Sequence, residues 1–437
     1  MDLPKLENMF QKYLPFQKKY FFKNSLFFLF LIFPITFLLG NLAINSLTIL
    51  IALTFIVIVI KNESINLLND KVFYLMLFLL LSYLINLIFS QNFFLSYQRV
   101  IKFFFICFFV LSFKFLSNSI EKKHIDNIYK FWAITLFVVA FDTIFELIMG
   151  FNILGNVSKM PGRIASFTGD ELIIGNFFAA LSLIALSFIF YKSNKNISYI
   201  FLASLIFILI SFLIGERSNF LKTSIIIFLF IFFTFRFRLK YIAAFLFLTL
   251  ASIILILNFN KDYKLRYYDQ ITGLNKHQLN KLYQLNIFNK DAVFLNLQNS
   301  QYGAHYNVAK EIFLDNPVFG IGIKNFRIES YKKKYEDLDH KFNHLRGATH
   351  PHQIHYELLA ETGLIGYLSF ILFIIMSLIF FFKNFKSNKN IYEFSGMLFV
   401  IISLLPLVPS GSFFSTYAAG LFWFNYSIMM GNKKIEN

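Results

Sequence analysis

The sequence predicts an all-α polytopic membrane protein with about 12 transmembrane helices, and three observations carry that reading. Of 437 residues, 57% are hydrophobic and only 15% are charged, against about 25% charged in a soluble domain. The apolar residues, 63 of them phenylalanine, fall into long uncharged blocks. Lysine and arginine gather in alternate connecting segments. Together these exclude a secreted, disordered or cytosolic single-domain protein. The one cysteine, Cys107, lies in an apolar block and forms no internal disulfide.

A bilayer core of about 30 Å needs roughly 20 apolar residues per helix. That window places spans near residues 25–40, 42–60, 72–90, 100–118, 131–149, 172–191, 197–214, 219–235, 241–258, 362–382, 392–408 and 413–430. No small-residue cleavage site follows the first block, so no cleavable signal peptide is expected. With the N-terminus inside, the cytoplasmic segments hold 21 of the 41 Lys and Arg residues, from Lys5, Lys12, Lys18, Lys19 and Lys23 to Lys433 and Lys434. The short segments on the other side hold six: Arg99, Lys102, Lys159, Arg163, Arg217 and Lys222. This bias predicts both termini inside. The surplus of +17 is therefore mainly a topology signal, and no nucleic-acid partner is expected.

Three parts follow: a membrane domain at 1–258 with about nine spans, a large external loop at 259–361, and a second membrane domain at 362–437 with about three. The loop holds seven of the eight histidines, among them His277, His305, His340, His344, His350, His352 and His355. It is too long for a passive connector. Ala304, Val308 and Ile312 recur at helical spacing, and Asn316-Pro317 ends that helix. Gly320 and Gly322 allow a tight turn. Residues 325–338 read as a second helix. Thr349 reads as the cap of a third, with Pro351 in its first turn and a stop near Gly363.

Three groups carry candidate chemistry, because ionisable residues at membrane boundaries are costly. Gly215-Glu216-Arg217-Ser218 and Pro161-Gly162-Arg163-Ile164 each place an arginine at the outer face. Each arginine reads either as a boundary anchor, paired in the first case with Glu216, or as a guanidinium gripping phosphate bidentately. The third group is Thr349-His350-Pro351-His352-Gln353-Ile354-His355-Tyr356-Glu357. It lacks the H-E-x-x-H spacing of a zinc site, so neither metal nor cofactor is expected. A histidine acting as general base near neutral pH fits better. Asp337-Leu338-Asp339 lies in a charged run and reads as a solvated face. Phe319-Gly320-Ile321-Gly322 is too short for a dinucleotide loop.

The run His350-Pro351-His352-Gln353…Glu357-Leu358-Leu359-Ala360-Glu361-Thr362-Gly363 resembles the signature of the O-antigen ligase and polymerase family. Asp315-Asn316-Pro317-Val318-Phe319-Gly320-Ile321-Gly322 looks like its second block, and Gly215-Glu216-Arg217-Ser218 like its arginine block. The resemblance implies a C-type glycosyltransferase fold in the bacterial inner membrane, with the large loop and active site facing the periplasm. It implies a glycan donor linked to undecaprenyl diphosphate and transfer without metal. The acceptor would be a sugar hydroxyl of lipid A-core for a ligase, or another repeat unit for a polymerase. By position His352 resembles the family's base, and Arg217 and Arg163 its diphosphate-binding arginines; Glu216, His350, Gln353 and Glu357 stand beside them in the same blocks. Where related ligases carry a loop arginine this chain reads Gln301-Tyr302-Gly303-Ala304-His305-Tyr306, so His305, Arg327 or Arg346 would substitute.

A transporter or flippase is the rival reading. Only Asp142 and Glu146 are acids well inside a span, and the loop splits the spans nine to three, which argues against two related halves. A related oligosaccharyltransferase would show acids in the first external loop, which here is Gly40-Asn41.

Overall fold

A computed structural model describes residues 21–61, 67–194, 196–234, 239–269, 298, 300–406 and 408–431. His277 and the basic residues Lys5, Lys12, Lys18, Lys19, Lys195, Arg236, Arg238, Lys433 and Lys434 lie outside that set. Among the described residues the chain is helical, with no strand. The principal helices are α1 (Phe21–Leu39), α2 (Asn41–Lys61), α3 (Lys71–Ile88), α4 (Phe93–Ser119), α5 (Lys122–Met149), α6 (Ile174–Lys192), α7 (Ile197–Leu213), α8 (Arg217–Thr234), α9 (Leu239–Phe259), α10 (Gln301–Asp315), α11 (Ile354–Asn388), α12 (Ile391–Ser403) and α13 (Thr416–Met429).

A helix stands at every position where a span is expected, and among the described residues nine of them are long and apolar enough to cross a membrane. The protein is a multi-pass membrane protein. Three helices are shorter. α7 has 17 residues, and α12 and α13 have 13 and 14. The expected spans at 392–408 and 413–430 are thus cut back where residues 404–406 and 408–415 are irregular, and Pro406, Pro409 and Gly411 interrupt the apolar run. Proline removes a backbone donor and glycine weakens a helix. Non-helical backbone at such depth is tolerated where it lines a polar cavity.

Packing, rather than hydrophobic exclusion, must hold such helices together, since lipid is as apolar as leucine. α6 is the centre of the bundle, against α5, α7, α8 and α12. Ala179, Ala180, Ser182, Ala185 and Ser187 along it are buried and let neighbours approach, and Ser187 Oγ meets Ser395 Oγ of α12 at 2.5 Å. Aromatic rings also pack in the bundle in mixed tilted, stacked and edge-to-face pairs: Phe30, Phe33, Phe109, Phe113, Trp132 and Phe424 are all buried with ring centroids 4.6–5.8 Å apart. Such pairs contribute about 0.5–1.5 kcal/mol each beyond burial. The Trp132 indole N–H donates to Phe30 O at 2.9 Å, so the one polar atom of that cluster is satisfied.

Two loop expectations change. The helix read over 325–338 is a single turn, Phe326–Glu329, followed by a 3₁₀ turn at Lys333–Tyr335. Glu329 is buried and draws Lys332 to 2.5 Å and Tyr335 to 3.2 Å, folding the charged run back on itself. Thr349 does not cap the third helix. Its cap is Gln353, whose side chain accepts from Tyr356 N at 2.9 Å. His352 sits in left-handed backbone, φ 58°, which ends any helix before that point. The stop read near Gly363 is present: its backbone is non-helical there, and α11 is two helices joined across that kink.

Candidate functional site

Two irregular segments are pinned to the helices by buried carboxylates. On the first, Glu146 of α5 accepts from the Ala165 and Ser166 amides at 3.1 and 2.6 Å. Asp142 accepts from Ser166 Oγ at 2.5 Å and from Ile153 N at 2.8 Å. The two acids in the last two turns of α5 therefore hold a loop. The loop pairs backbone to backbone with the end of α7, Ile164 N to Ile214 O at 3.0 Å. This brings Arg163 to the segment before α8. Its guanidinium donates to Leu172 O and lies 3.4 Å from Glu216 Oε1.

Glu216 is buried and accepts from Gly175 N at the start of α6 at 2.9 Å and from Asn219. Burial pushes its carboxyl pKa up, and Arg163 opposes that shift. Arg217 turns away, donating to Arg266 O at 3.3 Å. Arg266 in turn donates to Gly215 O, and burial beside Arg163 and Arg217 lowers its pKa to about 10.

The second segment joins the glycine turn to the kink of α11. Gly363 adopts φ 63°, ψ −169°, and the kink turns the chain toward residues 317–322. Ile321 N and Gly322 N donate to Ala360 O and Glu361 O at 3.1 and 2.8 Å, and Leu364 N and Ile365 N donate back to Pro317 O and Val318 O at 2.8 and 3.1 Å. A Cβ on Gly363 would lie 2.5 Å from Val318 O, and one on Gly320 would lie 2.6 Å from Glu361 O. Asn86 of α3 seals the junction, donating to Phe319 O at 2.7 Å and Glu361 O at 3.0 Å. The Glu361 carboxylate then accepts from Lys324 N at 2.7 Å and Phe326 N at 3.3 Å.

That turn aims Lys324 inward, where its ammonium donates to Ser412 Oγ and lies 3.9 Å from Glu357 Oε1. Glu357 also accepts from Ser412 and from Phe413 N at 2.7 Å. Burial lowers the Lys324 pKa; Glu357 and Glu361 oppose this, while Arg327 and Arg99 reinforce it.

The histidines meet the same place. The His350 and His352 rings are 4.0 Å apart, and those of His305 and Tyr302 lie 5.2 and 5.7 Å from His352. Burial, joined by Lys324 beside His350 and by His350 beside His352, lowers both pKa values to about 3. Both rings are therefore neutral near pH 7. His305 is lowered too, again by burial; its Nδ1 lies 3.2 Å from Arg346 O. His355 is committed to structure, with Nε2 2.8 Å from Leu404 O. Among the described residues no three His, Cys, Asp or Glu side chains are grouped to hold a metal ion.

One cleft of about 510 Å³ collects these groups. It is lined by Arg163, Glu216, His350 and His352, and also by Lys222, Tyr302, Lys324, Arg327 and the 409–413 segment. Arg217, Gln353, Glu357, His305 and Arg346 do not line it: Gln353 and Glu357 hold its walls, and Arg346 points to a separate groove where it pairs with Glu336 at 3.0 Å. Sequence reasoning missed Lys222 and Lys324. Lys222 was counted as a topological charge, and Lys324 reaches the cleft only because the chain turns in the left-handed region at φ 67°.

No curated protein matches the chain significantly. Residues 202–371 match a family model described as O-antigen ligase, a stretch that holds the Glu216-Arg217 block, α10, the glycine turn, the histidine run and the kink of α11. That match supports the resemblance of the chain to the O-antigen ligase and polymerase family.

Proposed function

We propose that the protein transfers a glycan from undecaprenyl diphosphate to a sugar hydroxyl, lipid A-core being the acceptor, on the periplasmic side of the bacterial inner membrane. The observation that carries this reading is the meeting of four cations, Arg163, Lys222, Lys324 and Arg327, with two neutral histidines in one cleft. The buried Nε atoms of Arg163 and Arg327 make no hydrogen bond within the protein. An unpaired buried donor is costly, and a diphosphate would satisfy both.

In the proposed step the acceptor oxygen attacks the anomeric carbon as the bond to the diphosphate oxygen breaks. Attack opposite the leaving group inverts the centre. Charge growing on the diphosphate is met by the arginines and lysines. The hydroxyl proton passes to His352, and then to water. His352 is already unprotonated, and the incoming diphosphate raises its weak basicity by placing negative charge beside it. A general base contributes about 10²–10⁴-fold.

The test uses full-length protein in nanodiscs with a lipid-linked glycan donor. His352→Ala is expected to lower transfer at least about 10²-fold with unchanged thermal stability and unchanged sensitivity to EDTA. Normal transfer in that variant removes His352 from the mechanism. In cells, gene deletion that leaves lipid A-core uncapped and lipid-linked polymer accumulated marks a ligase. Single-repeat capping marks a polymerase, the second reading that the family match admits.

A further inference from the structure

At the far end of the bundle a second cavity lies between α3 and α11. Asn86 near the end of α3 bonds Glu361 near the start of α11, so the two helices run antiparallel. Lys71 and Lys383 therefore share the end opposite the cleft. Both line a groove of about 500 Å³ whose other walls are Tyr74, Leu75, Phe78, Leu372, Phe373, Met376, Ile379 and Phe380. No acidic residue lines it.

The charge at its mouth is lopsided. Lys114 reaches over Phe380 at 5.5 Å but is neutralised by Asp70 at 2.6 Å. Lys71 and Lys383 are exposed, and neither makes an ion pair among the described residues. A long apolar slot between membrane helices with two free ammonium groups at one end matches one molecular shape: an acyl chain under an anionic headgroup.

We propose that this groove binds one anionic glycerophospholipid from the leaflet facing away from the cleft, its headgroup between Lys71 and Lys383 and an acyl chain along Phe78 and Met376. The lipid would clamp the two helices whose other ends, through Asn86 and Glu361, hold the glycine turn. The site is independent of the transfer chemistry.

Phosphatidylglycerol is the probe. Adding it to phosphatidylcholine nanodiscs is expected to raise Tm by about 2–4 °C, and native mass spectrometry should retain one phosphatidylglycerol per chain. Lys71→Gln/Lys383→Gln should abolish both effects. Met376→Trp, which fills the slot and leaves both lysines, should abolish them too, and keeps the idea testable if the double variant folds poorly. Lys122→Gln/Lys123→Gln, at the same membrane surface, should keep them. Full stabilisation in the groove variants, or equal loss in the Lys122/Lys123 control, would overturn the site in favour of diffuse surface attraction. Displacement of the bound lipid by undecaprenyl phosphate would overturn it in favour of the donor tail.

Discussion

The two walls of the cleft solve the same problem with different economy. On the α5–α8 wall, Asp142 and Glu146 hold the loop through Ile153, Ala165 and Ser166, and Glu216, which also accepts from Gly175 N and Asn219, lies 3.4 Å from the cation Arg163. Opposite, Glu357 serves backbone, hydroxyl and ammonium at once, while Glu361 holds the turn that aims Lys324. On the first wall the loop-holding acids bond residues other than Arg163, whereas on the second Glu361 accepts from the backbone amide of the cation Lys324 itself. Substitutions should therefore part activity from stability on the first wall and couple them on the second.

The largest expected effect is at Arg163. Under the proposed mechanism Arg163→Ala removes a donor to the leaving group, with an expected loss of about 10²–10³-fold in kcat. Arg163→Lys keeps the charge beside Glu216 but not the two-pronged grip, so it should restore folding more than transfer. Assaying both variants for transfer and Tm checks the separation. Equal recovery of both by lysine would erase it.

Glu361→Ala tests the second wall. It strands two buried amides, those of Lys324 and Phe326, at about 1–3 kcal/mol each. Tm and transfer should fall together, and Lys324→Met should lower transfer with a smaller drop in Tm. A Glu361→Ala protein with native Tm would show that the turn holds without it.

The pH dependence comes next. His350, His352 and His305 have pKa values below the ordinary 6.5 because they are buried, so the folded state binds fewer protons than the unfolded one. Their contribution is fully present above pH 6.5 and is lost as pH falls toward 3. For activity, kcat/KM reports the free enzyme, so its acid limb should lie well below pH 6.5. The kcat limb reports the donor complex and should lie higher, since the diphosphate raises the base. Coincident limbs would remove the diphosphate from His352's surroundings.

How much of this could be read in advance divides along physical lines. Span positions were legible because an uncharged block of about 20 residues has few alternatives to a membrane helix. α10 and its stop at Asn316 were legible from period and proline. The shortness of α12 and α13 was not, because hydropathy averages over the Pro406–Gly411 break that opens the cleft. Arg163 and His352 were legible as residue types, but their meeting depends on bonds between residues far apart in sequence, such as Ile164 to Ile214 and Asn86 to Phe319, the latter 233 residues apart. Lys324 was hidden because a backbone turn, not a side-chain pattern, aims it.

Arg346 gives the smallest effect and separates two meanings of a residue's presence. As a cation it was a candidate substitute for the missing loop arginine, yet its guanidinium pairs with Glu336 at 3.0 Å outside the cleft. Arg346 is half-buried but Glu336 is exposed, and a pair with one partner in solvent contributes about 0–1 kcal/mol. Its carbonyl is what faces the site, receiving His305 Nδ1 at 3.2 Å. That contact survives any side-chain truncation. Arg346→Ala should therefore leave transfer within about threefold of the parent, the range expected for a surface substitution. His305→Ala, which removes the ring beside His352 itself, should cost more. If instead Arg346→Ala alone cuts transfer about 10²-fold, as losing a leaving-group donor would, the guanidinium must reach the cleft when the donor is bound. The Lys324 wall would then move on binding while the Arg163 wall stays fixed.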